Sequence, residues 1–292
     1  MVSEPEGAKA GVIDDAPLAS SLARLARWDG TPALTLGGPT GPDWLRLRDV
    51  DRGLDLLLAQ GEAATPGCPD YVAASVATMV AGAVVDAGLA LLLVERRLPD
   101  LDPADLAARR SPDELWFDQI ALLSPRLTVL PDDPAAVHPD VTVVPTLADL
   151  HQRFVDRLLA ALEPWFDGLR RTRAPFGRAG MWGQAADEIT GTALRTARAV
   201  GLDEGAAWTE ASSILDRLAL LVPRSKARAR PFPVAAATRS CLFQVKGTCC
   251  LWYRSVPGSD PAGEGYCVAC PKRTDADRYS LLVAHLDEPT AP

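Results

Sequence analysis

The sequence lacks the patterns that mark several common protein classes. It has no Gly-x-Gly-x-x-Gly after a predicted strand and no P-loop, so it carries no nucleotide-binding fingerprint. Basic residues are not in excess: the net charge is −8 at pH 7, which argues against general nucleic-acid binding. Residues 1–15 have neither a basic n-region nor an apolar core, so they do not form a secretory signal. We therefore expect a cytoplasmic protein whose cysteines stay reduced and serve a metal or catalysis more often than disulfides.

One stretch is apolar enough to raise the question of a membrane span. Residues 71–94 contain a single charge, Asp86, and are long enough to cross a bilayer. Much of the stretch is Ala, Gly, Ser and Thr, which gain little from lipid, and Asp86 would be costly there. We predict a buried helix at the centre of a helical domain, with at most peripheral contact to a membrane.

The spacing of apolar residues predicts an α+β fold that is mainly α-helical, with a few short strands. Helices are predicted at residues 17–27, 54–60, 146–171 and 203–221, together with one that follows residues 178–187 and ends near Gly201; short strands are predicted at 33–36, 44–47 and 127–130. Within residues 98–111, Asp102 and Pro103 have the form of a helix start. Residues 131–145 carry four prolines and are predicted to be a connector.

The composition changes at Pro223, and this change divides the chain. Between Pro223 and Arg254 there are seven Lys or Arg residues and no Asp or Glu. Residues 223–292 hold ten basic and six acidic groups, which leaves twenty basic and thirty-two acidic groups for the rest. We predict a mainly helical body at 1–222, with residues 1–16 disordered, and a small cysteine-rich region at 223–292.

Four of the six cysteines form a metal-ligand pattern inside the basic region. They are the adjacent Cys249 and Cys250 and the Cys-x-x-Cys pair Cys267 and Cys270. Thiolates select zinc or iron–sulfur clusters over hard cations. Zinc sites usually draw on two Cys-x-x-Cys knuckles, whereas adjacent cysteines diverge along an extended chain and suit a larger inorganic core if the chain turns locally. Residue chemistry therefore predicts a metal and leaves both zinc and iron–sulfur open.

The remaining cysteines and the nearby side chains have less specific roles. Cys68 is predicted to be a small buried residue, and Cys241, followed by Leu242 and Phe243, a structural strand residue. Basic side chains near the four cysteines would offset the negative charge of a thiolate-bound metal, although they are equally consistent with a solvated basic face. Two aromatic residues would pack over the site. These candidates are Arg239, Lys246, Arg254, Lys272 and Arg273 among the basic residues, and Trp252 and Tyr253 among the aromatic ones.

The segment Cys-Cys-Leu-Trp-Tyr-Arg at 249–254, followed by Cys-Val-Ala-Cys-Pro at 267–271, resembles the FhuF family of ferric-siderophore reductases. The segment Met-Trp-Gly-Gln-Ala-Ala at 181–186 also looks like the Trp-Gly segment of that family. This chain departs from the family in having a longer loop, the sixteen residues 251–266, between the two cysteine pairs.

The resemblance implies that Cys249, Cys250, Cys267 and Cys270 bind a [2Fe–2S] cluster. It implies an oxidoreductase that reduces ferric siderophores, with hydroxamates as one candidate type, by one-electron transfer and releases Fe(II) in the cytoplasm. The electrons would come from a separate donor protein such as a ferredoxin or a flavoprotein. Two alternatives stay open: a zinc-stabilised binding module without a redox role, and an iron–sulfur sensor without reductase turnover.

Overall fold

The computed structural model describes residues 16–39, 41–111, 115–172, 176–222, 228–237, 239–255 and 265–288. The predicted disorder at 1–16 falls almost wholly outside these ranges, as do parts of the basic run after Pro223 and most of the 251–266 loop. Of the described residues, 54% are helical and 15% are in strands. This confirms the predicted mainly helical α+β class.

Seven α-helices and nine short strands follow one another within the described ranges. The helices are α1 Pro17–Leu25, α2 Val50–Ala64, α3 Pro69–Glu95, α4 Leu147–Arg171, α5 Arg178–Val200, α6 Glu204–Leu221 and α7 Asp275–Asp287. The strands are β1 Leu34–Leu36, β2 Trp44–Arg46, β3 Leu98–Pro99, β4 Leu106–Arg110, β5 Phe117–Leu122, β6 Leu127–Val129, β7 Val141–Val143, β8 Arg230–Ala235 and β9 Ser240–Val245. The predicted helices and strands are all present, although α2 is longer at both ends than predicted.

The long apolar stretch forms α3, which is the centre of the main core. Its side chains are buried on almost every side, and α5, α4 and α2 pack against it. Its one charged side chain within the apolar stretch, Asp86, accepts hydrogen bonds from Thr192 Oγ1 at 2.6 Å and Arg195 Nη2 at 3.3 Å. Burial raises the pKa of Asp86. Among the described residues α3 is the one helix long and apolar enough to cross a membrane, and 89% of its most apolar window lies inside the protein.

The strands form three small sheets, and two of them correct the sequence prediction. One sheet has the order β1-β5-β4-β2, a second β3-β6-β7, and a third is the β8-β9 hairpin. Asp102 does cap a helical start, but only a single 3₁₀ turn, Pro103–Asp105, follows before β4 pairs with β2 and β5. The predicted connector at 131–145 contains β7, which pairs in parallel with β6. In both places pairing with distant strands overrides the local sequence preference.

The hairpin and α7 enclose a second, smaller hydrophobic cluster. It contains Phe232, Val234, Cys241, Val245, Leu282 and Leu286. Cys241 lies in β9 opposite Val234 and is buried among these apolar side chains. This confirms the predicted strand position of Cys241. The hairpin also packs against α5 and α6, so the chain after β9 leaves directly from the surface of the helical body.

Candidate functional site

Strand β9 is held against α5 just before it reaches the paired cysteines. Thr190 Oγ1 on α5 donates a hydrogen bond to Gln244 Oε1 at 2.5 Å. One residue beyond β9, Lys246 Nζ lies 3.7 Å from Glu188 Oε1. These polar contacts between a helix and a strand fix the direction in which the chain approaches Cys249.

Asp187 on α5 holds the turn that immediately precedes the paired cysteines. Its carboxylate accepts the backbone N–H of Gly247 at 2.7 Å and that of Thr248 at 3.0 Å. The side chain is fully buried, and burial raises the pKa of Asp187 to about 7, while these two hydrogen bonds and Lys246 act in the opposite direction. Asp187 is therefore a positioning residue for this turn.

The Trp-Gly segment of α5 gives the same turn room to approach. A Cβ atom on Gly183 would clash with the side chain of Thr248, so a larger residue does not fit here. Trp182 next to it is buried against Phe166 in an edge-to-face contact with ring centroids 5.0 Å apart. The segment at 181–186 is thus a packing surface for the cysteine region, about sixty residues further along the chain.

The chain turns locally directly after the two adjacent cysteines. Leu251 adopts a left-handed conformation with φ of 63°, and the 3₁₀ turn Trp252–Arg254 follows it. The N–H group of Leu251 acts to lower the pKa of Cys249, and that of Trp252 acts to lower the pKa of Cys250. N–H groups directed at sulfur stabilise the negative charge of a thiolate.

The second cysteine pair sits in a tight turn that α7 holds from behind. The N–H of Cys270 donates to the carbonyl of Cys267 at 3.0 Å. Arg278, which is fully buried on α7, donates to the carbonyls of Cys270 at 2.6 Å and Val268 at 3.0 Å. The N–H of Lys246 donates to the carbonyl of Ala269 at 2.8 Å, which joins the two cysteine segments directly.

The four thiols influence one another across the two segments. Cys267 acts on the pKa of Cys250, and Cys270 acts on the pKa of Cys249. The hydrogen bond from Cys267 lowers the pKa of Cys250 to about 6, and that contact raises the pKa of Cys267. Burial raises the pKa of Cys249 to about 11. We call these four side chains the thiol site.

Within the described ranges, no group of three or more His, Cys, Asp or Glu side chains is placed so that it could hold a metal ion.

Of the basic residues predicted near the cysteines, Lys246 and Arg273 line a cavity with Cys250 and Cys267, and Lys272 interacts electrostatically with Cys249. Burial alone would lower the pKa of Lys246, but Glu188, Asp187 and the thiols of Cys250 and Cys267 raise it above the ordinary value. Arg254 forms an ion pair with Asp70 at the start of α3, and Cys68 Sγ lies 3.3 Å from the Arg254 carbonyl oxygen. Cys68 is half-buried and lies beside the cysteine region, not in the core.

The other predicted side chains divide between the site and the surface. Tyr253 packs edge-to-face on Tyr266 with ring centroids 5.3 Å apart, and Lys272 Nζ lies 4.6 Å from the Tyr253 ring centroid. Trp252 follows the paired cysteines and is 40% exposed. Arg239 is exposed between β8 and β9, and its described contacts do not bring it into the thiol site.

A pocket of about 640 Å³ opens onto the thiol site. Cys250 and Cys267 line it, and so does the N-terminal half of α3. Its lining residues are Tyr71, Ser75, Thr78, Met79, Leu115, Trp116, Lys246, Cys250, Trp252, Tyr266, Cys267, Val268, Ala269, Arg273 and Leu281. We call this cavity the thiol pocket; its volume is in the range of small-molecule sites. The helical body therefore contributes one wall of a cavity that ends at two of the four thiols.

Sequence reasoning did not identify the residues that position the thiol site. Asp187 and Gly183 lie more than sixty residues before the paired cysteines, and Arg278 lies eight residues after Cys270. Their roles arise only when α5 and α7 pack against the cysteine segments. One sequence signal was available for Asp187. It stands with Glu188 in a helix rich in small residues, and buried carboxylates need partners elsewhere in the fold.

Comparison with known proteins found no matching family model, no matching curated protein and no matching solved structure.

Proposed function

We propose that the thiol site binds a [2Fe–2S] cluster and that the protein is an oxidoreductase. Its substrate would be a ferric siderophore that docks in the thiol pocket and is reduced by one electron, which releases Fe(II) in the cytoplasm. The observation that carries this proposal is that Cys250 and Cys267, one from each cysteine segment, line the same accessible pocket together with Lys246.

The donor set is compatible with a two-iron cluster. A [2Fe–2S] cluster is bound by four cysteines, and the two cysteine segments supply four free thiols. Cys250 and Cys267, one from each segment, line the same pocket. One zinc ion would also take four thiolates, so metal analysis decides between the two.

The residues around the thiols can balance a negatively charged cluster. Lys246 is held near Cys250 and Cys267, and Lys272 lies near Cys249. Positive charge beside a cluster offsets the cost of burying its negative charge and raises its reduction potential. When bound, the cluster supplies one electron at a time, which converts Fe(III) to Fe(II) in the chelate, and a separate one-electron donor restores it.

The chain's own part in the reaction is to hold the substrate near the sulfurs and to limit water. Cys250 and Cys267 form one end of the thiol pocket, so a chelate bound there lies next to the cluster ligands. Fe(II) is a softer ion than Fe(III) and is held far more weakly by oxygen donors, so reduction inside the pocket releases the metal. No group in this scheme has to act as an acid or a nucleophile.

The electron donor is proposed to bind on the Cys249 side of the site. Lys272 and Arg254 are exposed on either side of Tyr253, and both lie close to its ring. An exposed pair of cations of this kind favours a donor with an acidic surface, such as a ferredoxin or a flavoprotein.

The first test is the spectrum of anaerobically purified protein with its iron, sulfide and zinc content. The proposal predicts a reddish-brown protein with two irons and two sulfides per chain, whose visible absorbance bleaches when dithionite is added. A colourless protein with one zinc per chain would instead identify a zinc-stabilised module.

Variants of single cysteines then test the ligand set. Cys250→Ser and Cys270→Ser should each lose the visible absorbance, because each removes one thiol from a different pair. Cys241→Ser is the matched control, since Cys241 is buried in the same region but packs among apolar side chains. Retention of a full spectrum in Cys250→Ser would remove that residue from the ligands.

Turnover separates an enzyme from a sensor. The reduced protein should convert a ferric chelate to Fe(II) in repeated cycles when a chemical reductant is supplied, with Fe(II) trapped by a chromogenic chelator. A protein that holds the cluster but shows no turnover with any ferric chelate would be an iron–sulfur sensor.

A further inference from the structure

Four aromatic side chains line the thiol pocket. They are Tyr71 from α3, Trp116 before β5, and Trp252 and Tyr266 from the two cysteine segments. Because Cys250 and Cys267 line the same cavity, a ligand bound there lies among both rings and thiols.

Two of these rings are large apolar groups left at the surface. Trp116 is 47% exposed and Trp252 is 40% exposed, although indole side chains gain most from burial. Exposed apolar side chains that cluster around a cavity mark a binding site, whereas isolated ones need no explanation.

Trp252 is held in place and is not part of a loose loop. It belongs to the 3₁₀ turn Trp252–Arg254, and both ends of that turn are anchored. The left-handed Leu251 precedes it, while Arg254 is paired with Asp70 and its carbonyl oxygen lies 3.3 Å from Cys68 Sγ. A ring fixed in this way can stack on a ligand with little loss of side-chain entropy.

The charged groups that line the pocket are both cationic. They are Lys246 and Arg273, and no Asp or Glu is among the described lining residues. Arg273 is oriented by the carbonyl oxygens of Cys267 and Tyr266, to which its Nε and Nη2 donate. Such groups favour a ligand whose oxygen atoms carry negative charge.

We infer that the substrate is a ferric chelate whose organic ligand bears aromatic rings with phenolate or catecholate oxygens, and not an aliphatic trihydroxamate. This inference rests on the proposed function and names its substrate class. An aromatic chelate gains stacking contacts with the indole and phenol rings, and its anionic oxygens face the two cations. An aliphatic trihydroxamate complex is neutral at its iron centre and has no aromatic ring. It therefore gains neither the stacking contacts nor the attraction to the two cations.

The test measures binding separately from reduction by use of gallium(III), which forms chelates of the same shape but is not reduced. Isothermal titration of the cluster-containing protein would compare three gallium complexes: a bis-phenolate chelate, a neutral aliphatic trihydroxamate chelate, and citrate as an anion without aromatic rings. The bis-phenolate chelate should bind at least tenfold more tightly than either of the others. Equal or tighter binding of the trihydroxamate would overturn the inference, and equal binding of citrate would show that charge alone sets the affinity.

Tryptophan variants identify the pocket as the place of binding. Trp252→Leu and Trp116→Leu should each weaken binding of the gallium bis-phenolate by about two- to tenfold, the range expected for one aromatic contact. Trp252→Phe should retain most of the affinity because it keeps a ring. Trp28→Leu is the control: Trp28 is also 47% exposed but does not line the thiol pocket. An equal loss in the control would mean that the pocket rings have no special role.

The two proposals fail in different ways. If the gallium bis-phenolate binds as expected but its ferric counterpart is not reduced by dithionite-treated protein, the reductase function is wrong and the pocket assignment stands. If ferric chelates are reduced but aromatic and aliphatic ones bind alike, the function stands and the substrate class is wrong.

Discussion

Replacement of Asp187 by Asn should damage the thiol site from a distance. The two carboxylate oxygens of Asp187 accept the N–H groups of Gly247 and Thr248, one each. Asparagine keeps one acceptor oxygen but replaces the other with an NH₂ group, which would face a backbone donor. One N–H in the turn before Cys249 would then lose its acceptor in a buried place.

The size of the effect follows from the hydrogen bond that is lost. A hydrogen bond to a charged acceptor contributes about 1.5–3 kcal/mol, but relief of the buried charge, whose cost raises the pKa of Asp187 to about 7, offsets a large part of that. We expect Asp187→Asn to lower the free energy of unfolding by about 1 kcal/mol at pH 7.5. For a protein of this size that corresponds to a decrease in Tm of about 2 °C.

The assay combines stability with cluster content. Urea unfolding followed by circular dichroism gives the free energy of unfolding, and iron and sulfide analysis gives the cluster occupancy of the same samples. Asp86→Asn is the matched control, because Asp86 is also a buried carboxylate but bonds α5 side chains and not the cysteine turn. Both variants should lose stability. Only Asp187→Asn should also contain less iron per folded molecule than the wild-type protein.

The pH dependence gives a second check on Asp187. Its pKa is about 7 in the folded protein, above the ordinary value of 3.8. The protonated form therefore stabilises the fold fully below pH 3.8, and this contribution is lost as the pH rises toward 7. Asparagine cannot ionise, so the free energy of unfolding of Asp187→Asn should not follow this trend. The amount by which it falls below that of the wild-type protein should shrink between pH 5 and pH 7, by at most about 1.4 kcal/mol per pH unit.

Two results would refute this account of Asp187. Unchanged stability and iron content in Asp187→Asn would mean that the turn does not depend on the carboxylate. If the stability difference between the wild-type protein and Asp187→Asn grows as the pH rises, the folded protein favours the ionised carboxylate. That is opposite to the expected direction.

Three further substitutions test other parts of the site. Gly183→Ala should destabilise the protein by about 1–3 kcal/mol and reduce its iron content, because the new methyl group overlaps the turn before the paired cysteines. Gly82→Ala is the control: space is available there, so the change should be neutral or stabilising. Cys241→Ser should lower the urea midpoint but keep the visible spectrum, and a bleached spectrum would make Cys241 a ligand. Arg254→Ala should keep its iron content but have a more negative reduction potential or reduce the ferric chelate more slowly. If neither the potential nor the rate changes, the role of Arg254 is limited to its ion pair with Asp70.

The parts of the fold that sequence predicts well are those set by local signals. Thr146 caps α4 through a reciprocal capping box with Asp149, and the helix runs to Arg171 as the apolar spacing predicts. The buried helix α3 follows from its composition, because an apolar segment with one charge has to be enclosed. These features depend on residues within a few turns of one another.

The parts that sequence predicts poorly depend on distant partners. Asp102 begins a helical turn as expected, yet the following residues form β4, which pairs with β2, about sixty residues earlier in the chain, and with the neighbouring β5. The four cysteines are visible in the sequence, but their mutual influence across the two segments is not. Neither are the thiol pocket and the anchors Asp187 and Arg278, which depend on how α3, α5 and α7 pack around the cysteines.

The two cysteine segments are secured by different helices, the first by Asp187 on α5 and the second by Arg278 on α7. The stretch between them therefore does not have to position either half of the site. Closing a loop costs only about 0.6 kcal/mol more for each doubling of its length. Sequence can accordingly be inserted or removed between the two cysteine segments while the thiols stay where they are.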